Sequence, residues 1–217
     1  MREPTVAAVM SHPVCTASRE TPFREIIAGL LEGGVLPVID DSGAPVGMVS
    51  AKDALAKLEF RGGAEIPGPF AGRALRARWR KARGVTAGEL MTSPVASIGL
   101  STGVRVAARQ LTTSGLHRLC VVDEAGGLAG LVSRRDLLMV FLRPDSVLEE
   151  DIRAELRRRV HSGEAIRVRV CGRIARLAGA IRFHSSVDQA ESIARSVPGV
   201  IDVCNRLSYD FDDYQYV

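Results

Sequence analysis

The chain has 217 residues, 46% of them hydrophobic and 25% charged, with a formal net charge of +4. That is the make-up of a globular protein of one large or two small domains, and with aromatics at only 5% the core has to come from Val, Leu, Ile and Ala. No run of about 18 apolar residues occurs, so no membrane span is expected, and Met1–Met10 lacks the apolar core of a signal peptide. The four cysteines (Cys15, Cys120, Cys171, Cys204) are scattered without a CxxC pair, which predicts reduced, buried thiols rather than disulfides or a metal site. The charge is concentrated: residues 59–84 hold seven basic side chains against two acidic ones. Only Lys52, Lys57 and Lys81 of the 29 basic residues are lysine.

A repeat organises the first two-thirds. Val9-Met10-Ser11-His12-Pro13-Val14 returns 81 residues later as Leu90-Met91-Thr92-Ser93-Pro94-Val95. The segment from Val46 to Leu55 (VGMVSAKDAL) returns 83 residues later from Ala129 to Leu138 (AGLVSRRDLL). In chain order each copy predicts a short strand at Thr16 or Ser97, then a helix with apolar residues at helical spacing. These are Phe23, Ile26, Ile27 and Leu30 in the first copy, and Val104, Ala107, Ala108 and Leu111 in the second. A strand follows (Val35–Ile39; Leu119–Val122), then a Gly-containing turn, a second strand, and a closing helix with Ser50 or Ser133 placed to cap it. The first copy is two residues shorter between helix and strand, and nothing in it aligns with the Leu116-His117 step.

The order of elements, with Gly-x-x-Ser-x-x-Asp after a strand in both copies, resembles the cystathionine-β-synthase-type (CBS) repeat family. The resemblance implies an α+β fold: a pseudo-two-fold pair of βαββα units over residues 5–58 and 85–142, with residues 59–84 as a basic linker containing Gly and Pro. It also implies a sensor that binds AMP, ADP, ATP or S-adenosylmethionine in clefts between the repeats, and a homodimer. The residue chemistry fits such a ligand. A Ser at a helix N-terminus offers a hydroxyl and exposed N–H groups to phosphate, and an Asp one turn on can accept hydrogen bonds from both ribose hydroxyls. The resemblance therefore assigns Ser50 and Ser133 to phosphate and Asp53 and Asp136 to ribose. Arg134 and Arg135 would add bidentate phosphate contacts to the second cleft. Thr16, Val38, Gly47, Ser97, His117, Val121 and Gly130 are candidate cleft-lining residues. An ordinary capped first helical turn is the alternative use of the Ser and Asp. His12 and His117 are read as turn or surface residues, since neither has a second ligand at metal-site spacing.

The linker begins with Gly and Pro residues that argue against regular structure (Gly62, Gly63, Pro67, Gly68, Pro69) and ends in an arginine-rich stretch carrying Leu75 and Trp79. A solvated loop with Leu75 and Trp79 packed on the parent domain is expected there, ahead of an amphipathic turn for anionic lipid. After Pro144, Leu148, Ile152, Leu156 and Val160 predict an amphipathic helix capped by Asp145 or Ser146. Strands at Ile166–Cys171 and Ile174–Gly179, a helix at Ser186–Val197 and a strand at Val200–Leu207 complete an αββαβ domain over residues 144–209. It resembles the BON family, an interaction module, and residues 210–217 read as a short acidic tail. Arg167, Arg169, Arg173 and Arg176 alternate so as to share a sheet face.

No GxSxG, HExxH or Walker-type loop appears, so the expectation is a binding protein without catalysis or a required cofactor. Its expected ligand is an adenine nucleotide or S-adenosylmethionine. A cytoplasmic location is expected, peripheral to a membrane if the linker or BON-like domain meets an anionic membrane surface or a protein partner. No nucleic-acid partner is expected, since one basic run does not make a groove-reading fold. The alternative is a ligand-free dimerisation platform localised through the BON-like domain and linker.

Overall fold

Residues 3–161 and 163–213 are described by the computed structural model, and the chain divides into two units, Thr5–Arg134 and the remainder, which joins the residues before Thr5 to those from Arg135 onward. In the first unit, α1 (Phe23–Gly33) buries Ile26 and Leu30 and stops at Gly34, which takes a left-handed φ of 73°. The hairpin of β1 (Val35–Ile39) and β2 (Pro45–Ser50) follows. Its turn is closed by the Asp40 carboxylate, which accepts the N–H groups of Ser42 and Ala44 at 3.0 Å. Helix α2 (Ala51–Glu59) leads to α3 (Arg73–Arg83) and the single turn α4 (Ala87–Leu90). The second copy then runs β3 (Ser97–Gly99), α5 (Val104–Thr113), β4 (Arg118–Val122) and β5 (Leu128–Ser133), with α6 (Arg134–Leu138) starting at the division.

The two copies exchange their leading segments. Val6 and Ala7 donate their N–H groups to the carbonyls of Thr102 and Leu100 in the second copy, while Ala87 and Gly88 donate to Thr21 and Arg19 in the first. Ser11 bridges to Leu131 on β5, and Thr92 bridges to Met48 on β2. Each pair maps onto the other under the repeat offset, which is the pseudo-two-fold axis in bonding terms. The first copy's core (Ile26, Leu36, Val38, Val49) is accordingly completed by Ala87 and Leu90 from the second.

One expected strand shrinks. At Thr16 the first copy has only an isolated bridge from Ala17 to Val38, where the second copy has β3 parallel to β4. In the second copy Cys120 N–H donates to Ala96 O at 3.0 Å; the residue equivalent to Cys120 is Pro37, which has no N–H to give. The linker departs from expectation more strongly. Arg73–Arg83 is a three-turn helix, and the Gly-rich part makes one tight turn at Arg61–Gly63, where Arg61, Gly62 and Gly63 all take left-handed φ values (47°, 68° and 93°). The Arg, Ala, Leu and Lys residues of α3 favour the helix, which docks on α2 through Trp79 and Ala82 against Ala56 and Phe60, while Leu75 stays exposed.

In the second unit α7 (Asp145–Arg159) and α8 (His184–Ser196) cover one face of a sheet ordered β6 (Arg167–Cys171), β7 (Ile174–Phe183), β8 (Asp202–Phe211). Leu148, Ile152, Leu156, Ala190 and Ile193 pack there on Val168, Ala175, Leu177 and Val203. The opposite face carries Arg167, Arg169 and Arg176; Arg173 is not among them, because it sits in the β6–β7 turn with φ 65°. Asp145 does not cap α7 as expected, nor does Ser146. The Asp145 carboxylate instead accepts the N–H groups of Gly172 and Arg173 in that turn, at 2.8 and 3.2 Å. The end of the chain is built in as far as it is described: Asp210 and Phe211 belong to β8, and Asp213 accepts the Ser185 N–H at the start of α8 at 2.9 Å. The rest of the expected acidic tail, residues 214–217, lies outside the described residues. All four thiols are free of disulfides, but only Cys120 is buried; Cys15 lies in an irregular segment and Cys171 at the end of β6, and both are exposed. Burial pushes the Cys120 thiol up to about 12.

Candidate functional site

The chain reverses from β2 into α2 at Ser50, and the two residues expected to act together there do meet. Ser50 donates its N–H and its hydroxyl to Asp53 Oδ2, at 2.9 and 2.7 Å, as part of a capping box over the first turn of α2. The other carboxylate oxygen, Oδ1, accepts a hydrogen bond from Lys81 Nζ at 2.5 Å. The same ammonium donates to Thr92 Oγ1 at 2.7 Å. The pair is half-sheltered, with 13% of the Asp53 side chain and 19% of the Lys81 side chain exposed. Asp53 is thus a helix cap and an ion-pair partner at once.

Lys81 arrives because α3 lies antiparallel along α2. Lys57 Nζ donates to the Ala82 carbonyl at 3.1 Å, Arg78 pairs with Glu59 at the far end, and Trp79 Nε1 donates to Gly63 O at 3.0 Å. Neither Lys81 nor Thr92 was singled out from the sequence. Lys81 is 28 positions from Asp53, and nothing local ties them together. The one available signal was chemical: a lone lysine in an otherwise arginine-rich helix, where a compact point charge suits a single carboxylate oxygen.

The other candidates fall into three groups. Gly47 and Gly130 are buried, and the space a side chain would need is already taken. At Gly47 a Cβ would lie 2.3 Å from Met91 Sδ; at Gly130 it would lie 2.8 Å from the Ser11 carbonyl oxygen. These glycines admit the exchanged segments. Val38 and Val121 are fully buried, so they can offer a ligand only backbone. Thr16, Ser97 and His117 are exposed, and Thr16 lines an open surface cleft of about 530 Å³ together with Arg19, Leu36, Asp40 and Asp41. His117 precedes Arg118, whose guanidinium donates to Gly33 O at 2.7 Å and so fastens β4 to the end of α1.

In the second motif Ser133 ends β5 and Arg134 opens α6. The Arg134 guanidinium donates to Leu111 O at the end of α5, at 3.2 Å, which neutralises that helix terminus. Arg135 is exposed and Asp136 half-buried in the first turn of α6, both on the far side of the division between units. No group of three or more His, Cys, Asp or Glu able to hold a metal occurs among the described residues, and none of their helices is long and apolar enough to cross a membrane.

Known proteins share the repeat fold. The CBS domain family matches residues 6–59 and 87–143, and the BON domain family matches residues 144–210. The chain is 24% identical over 155 residues, 70% of each chain, to the uncharacterized protein MK0525 of Methanopyrus kandleri. Among solved structures it is similar to CBSX2 of Arabidopsis thaliana, determined in complex with AMP. There the identity is 30%, the TM-score 0.54, and the match covers 64% of this chain and 96% of that one. The protein MJ1225 of Methanocaldococcus jannaschii shares the fold, at 18% identity and a TM-score of 0.52, over 64% of this chain and 50% of that one.

Proposed function

The chain belongs to the CBS-domain family and carries a BON domain, and on that premise we propose that it is a regulatory binding protein for an adenosine-containing ligand, taken up between its repeats. The observation that supports this is the Ser-x-x-Asp pair at a strand-to-helix joint in both copies. A carboxylate in the first helical turn accepts from the two ribose hydroxyls, while the seryl hydroxyl and the N–H groups of that turn receive phosphate. The AMP bound by CBSX2, a 30% identical relative, is a ligand of this class. Ser133, Asp136 and Arg135 would hold it in the second cleft; Ser50 and Asp53 are the equivalents in the first. The role is recognition, with the BON domain passing the signal on as an interaction module for a protein partner or an anionic membrane surface.

A homodimer fits the surface. Leu31 on α1, Leu55 and Leu58 on α2 and Val106 on α5 stand 55–83% exposed, apolar helix positions that a second copy would cover. A monomer of about 23 kDa by light scattering at micromolar concentration argues against the pairing. The rival reading, a ligand-free platform, is favoured by one observation, the engagement of Asp53 by Lys81.

Calorimetric titration with AMP, ADP, ATP and S-adenosylmethionine separates the two. We expect at least one to bind, and Asp136→Ala to weaken it by roughly ten- to a hundredfold, since two ribose hydroxyls lose their acceptor. Asp53→Ala should weaken it less. No heat from any of the four ligands removes the adenosine reading and leaves the platform.

A further inference from the structure

The Lys81 contact bears on which cleft works. A carboxylate has about four lone-pair sites, and bidentate capture of a ribose needs one on each oxygen in the same plane. At Asp53 three are spoken for: Oδ2 accepts twice from Ser50, and Oδ1 accepts from Lys81 at 2.5 Å. The ammonium is not a passing surface charge. It is also bonded to Thr92, and the helix that carries it is clamped to α2 by Lys57, by Trp79 and by the Ala56, Phe60 and Ala82 packing.

We infer that Lys81 is the specificity-determining residue of the first cleft: its ammonium occupies the Asp53 carboxylate in place of a ribose and so keeps adenosine out of that cleft. The inference rests on the adenosine reading above and adds the residue that closes the first cleft. A ligand entering the first cleft must displace the Lys81 ammonium from Asp53 Oδ1, and the ribose hydroxyls that take its place bring no positive charge to the carboxylate to replace the one lost. The first cleft becomes competent when the ammonium is removed, with the helix left in place.

The test uses the full chain and AMP, with the second motif disabled by Asp136→Ala so that only the first cleft is read. Binding should be weak or absent in Asp136→Ala. It should return in Asp136→Ala/Lys81→Met, tighter by about tenfold or more, which is the gain expected when a competing internal partner worth that factor is removed. It should disappear again when Asp53→Ala is added. Lys81→Arg in the same background retains the cation and should stay weak. Trp79, the only tryptophan, lies on α3, and an unchanged emission spectrum in Lys81→Met shows that the helix is still docked. Unchanged or weaker AMP binding on Lys81→Met overturns the inference, weaker binding making Lys81 a ligand contact instead. It is equally overturned if Asp136→Ala alone still binds as tightly as the parent through Asp53. Failure of the parent chain and of every variant to bind AMP is a different result, and removes the adenosine reading itself.

Discussion

Removing the Asp53 carboxylate should destabilise the repeat unit well beyond what a surface ion pair would. Two contributions are visible. Losing the capping box costs about 1 kcal/mol, the usual value for an N-terminal helix cap. Stranding a sheltered Lys81 ammonium with only the Thr92 hydroxyl costs about 1–3 kcal/mol, since a partly buried charged donor is left short of an acceptor. The two share one side chain and are not independent, so Asp53→Ala should lower stability by about 2–4 kcal/mol. A neighbouring pair provides the control: Arg78 and Glu59 tie the same two helices with side chains 41% and 37% exposed, and Glu59→Ala should cost less than about 1 kcal/mol. Urea unfolding followed by Trp79 emission reads this unit and not the BON domain, because Trp79 is the only tryptophan. A loss for Asp53→Ala no greater than that for Glu59→Ala would refute the view that Asp53 holds α2 and α3 together.

What could be read from the sequence was whatever repeats or alternates. The 81- and 83-residue offsets located both copies, and the β1 boundaries came out as Val35–Ile39 because the run is apolar and ends in Asp40-Asp41. Ser50 and Asp53 meet because capping chemistry is local, three residues apart on one helical turn. What could not be read was decided by contacts far apart in the chain. Residues 73–83 are rich in helix formers, but their docking on Ala56 and Phe60 through Trp79 and Ala82 is a contact between distant segments that a single Leu and Trp in an arginine-rich stretch does not announce. Asp145 looked like a cap for its own helix and became the acceptor for a turn 27 residues away. The glycines of the motif are candidates for lining a cleft, and the space beside them is filled by Met91 at Gly47 and by the Ser11 backbone at Gly130, each from the opposite copy. Pattern gave the elements; the exchange of leading segments, being a relation between copies, left no mark within either one.

Three further outcomes follow from single residues. Glu89 accepts the N–H groups of Val85 and Thr86, and these bonds hold its carboxyl below the ordinary range. A depressed folded pKa contributes stability above the unfolded value that is lost as pH falls through the folded one, so stability should decline below about pH 5 and that decline should be shallower in Glu89→Gln. Among the thiols, Cys171 should react with a neutral thiol reagent first and Cys15 more slowly, since its hydrogen bond to Glu32 raises its pKa. Cys120 should react only on unfolding, and early labelling there contradicts its burial. The exchanged segments themselves can be tested through the two motif glycines. Gly47→Ala would press on Met91 Sδ and Cγ at 2.3 and 2.8 Å, atoms of a flexible side chain, whereas Gly130→Ala would press at 2.8 Å on the Ser11 carbonyl. That carbonyl cannot yield, because Ser11 and Leu131 exchange two backbone hydrogen bonds of 2.9 and 3.1 Å. Each substitution should therefore cost about 1–3 kcal/mol as overpacking, but only the first should be relieved by trimming its neighbour, in Gly47→Ala/Met91→Ala. Wild-type stability in both single variants would mean that the leading segments do not cross between the copies at all.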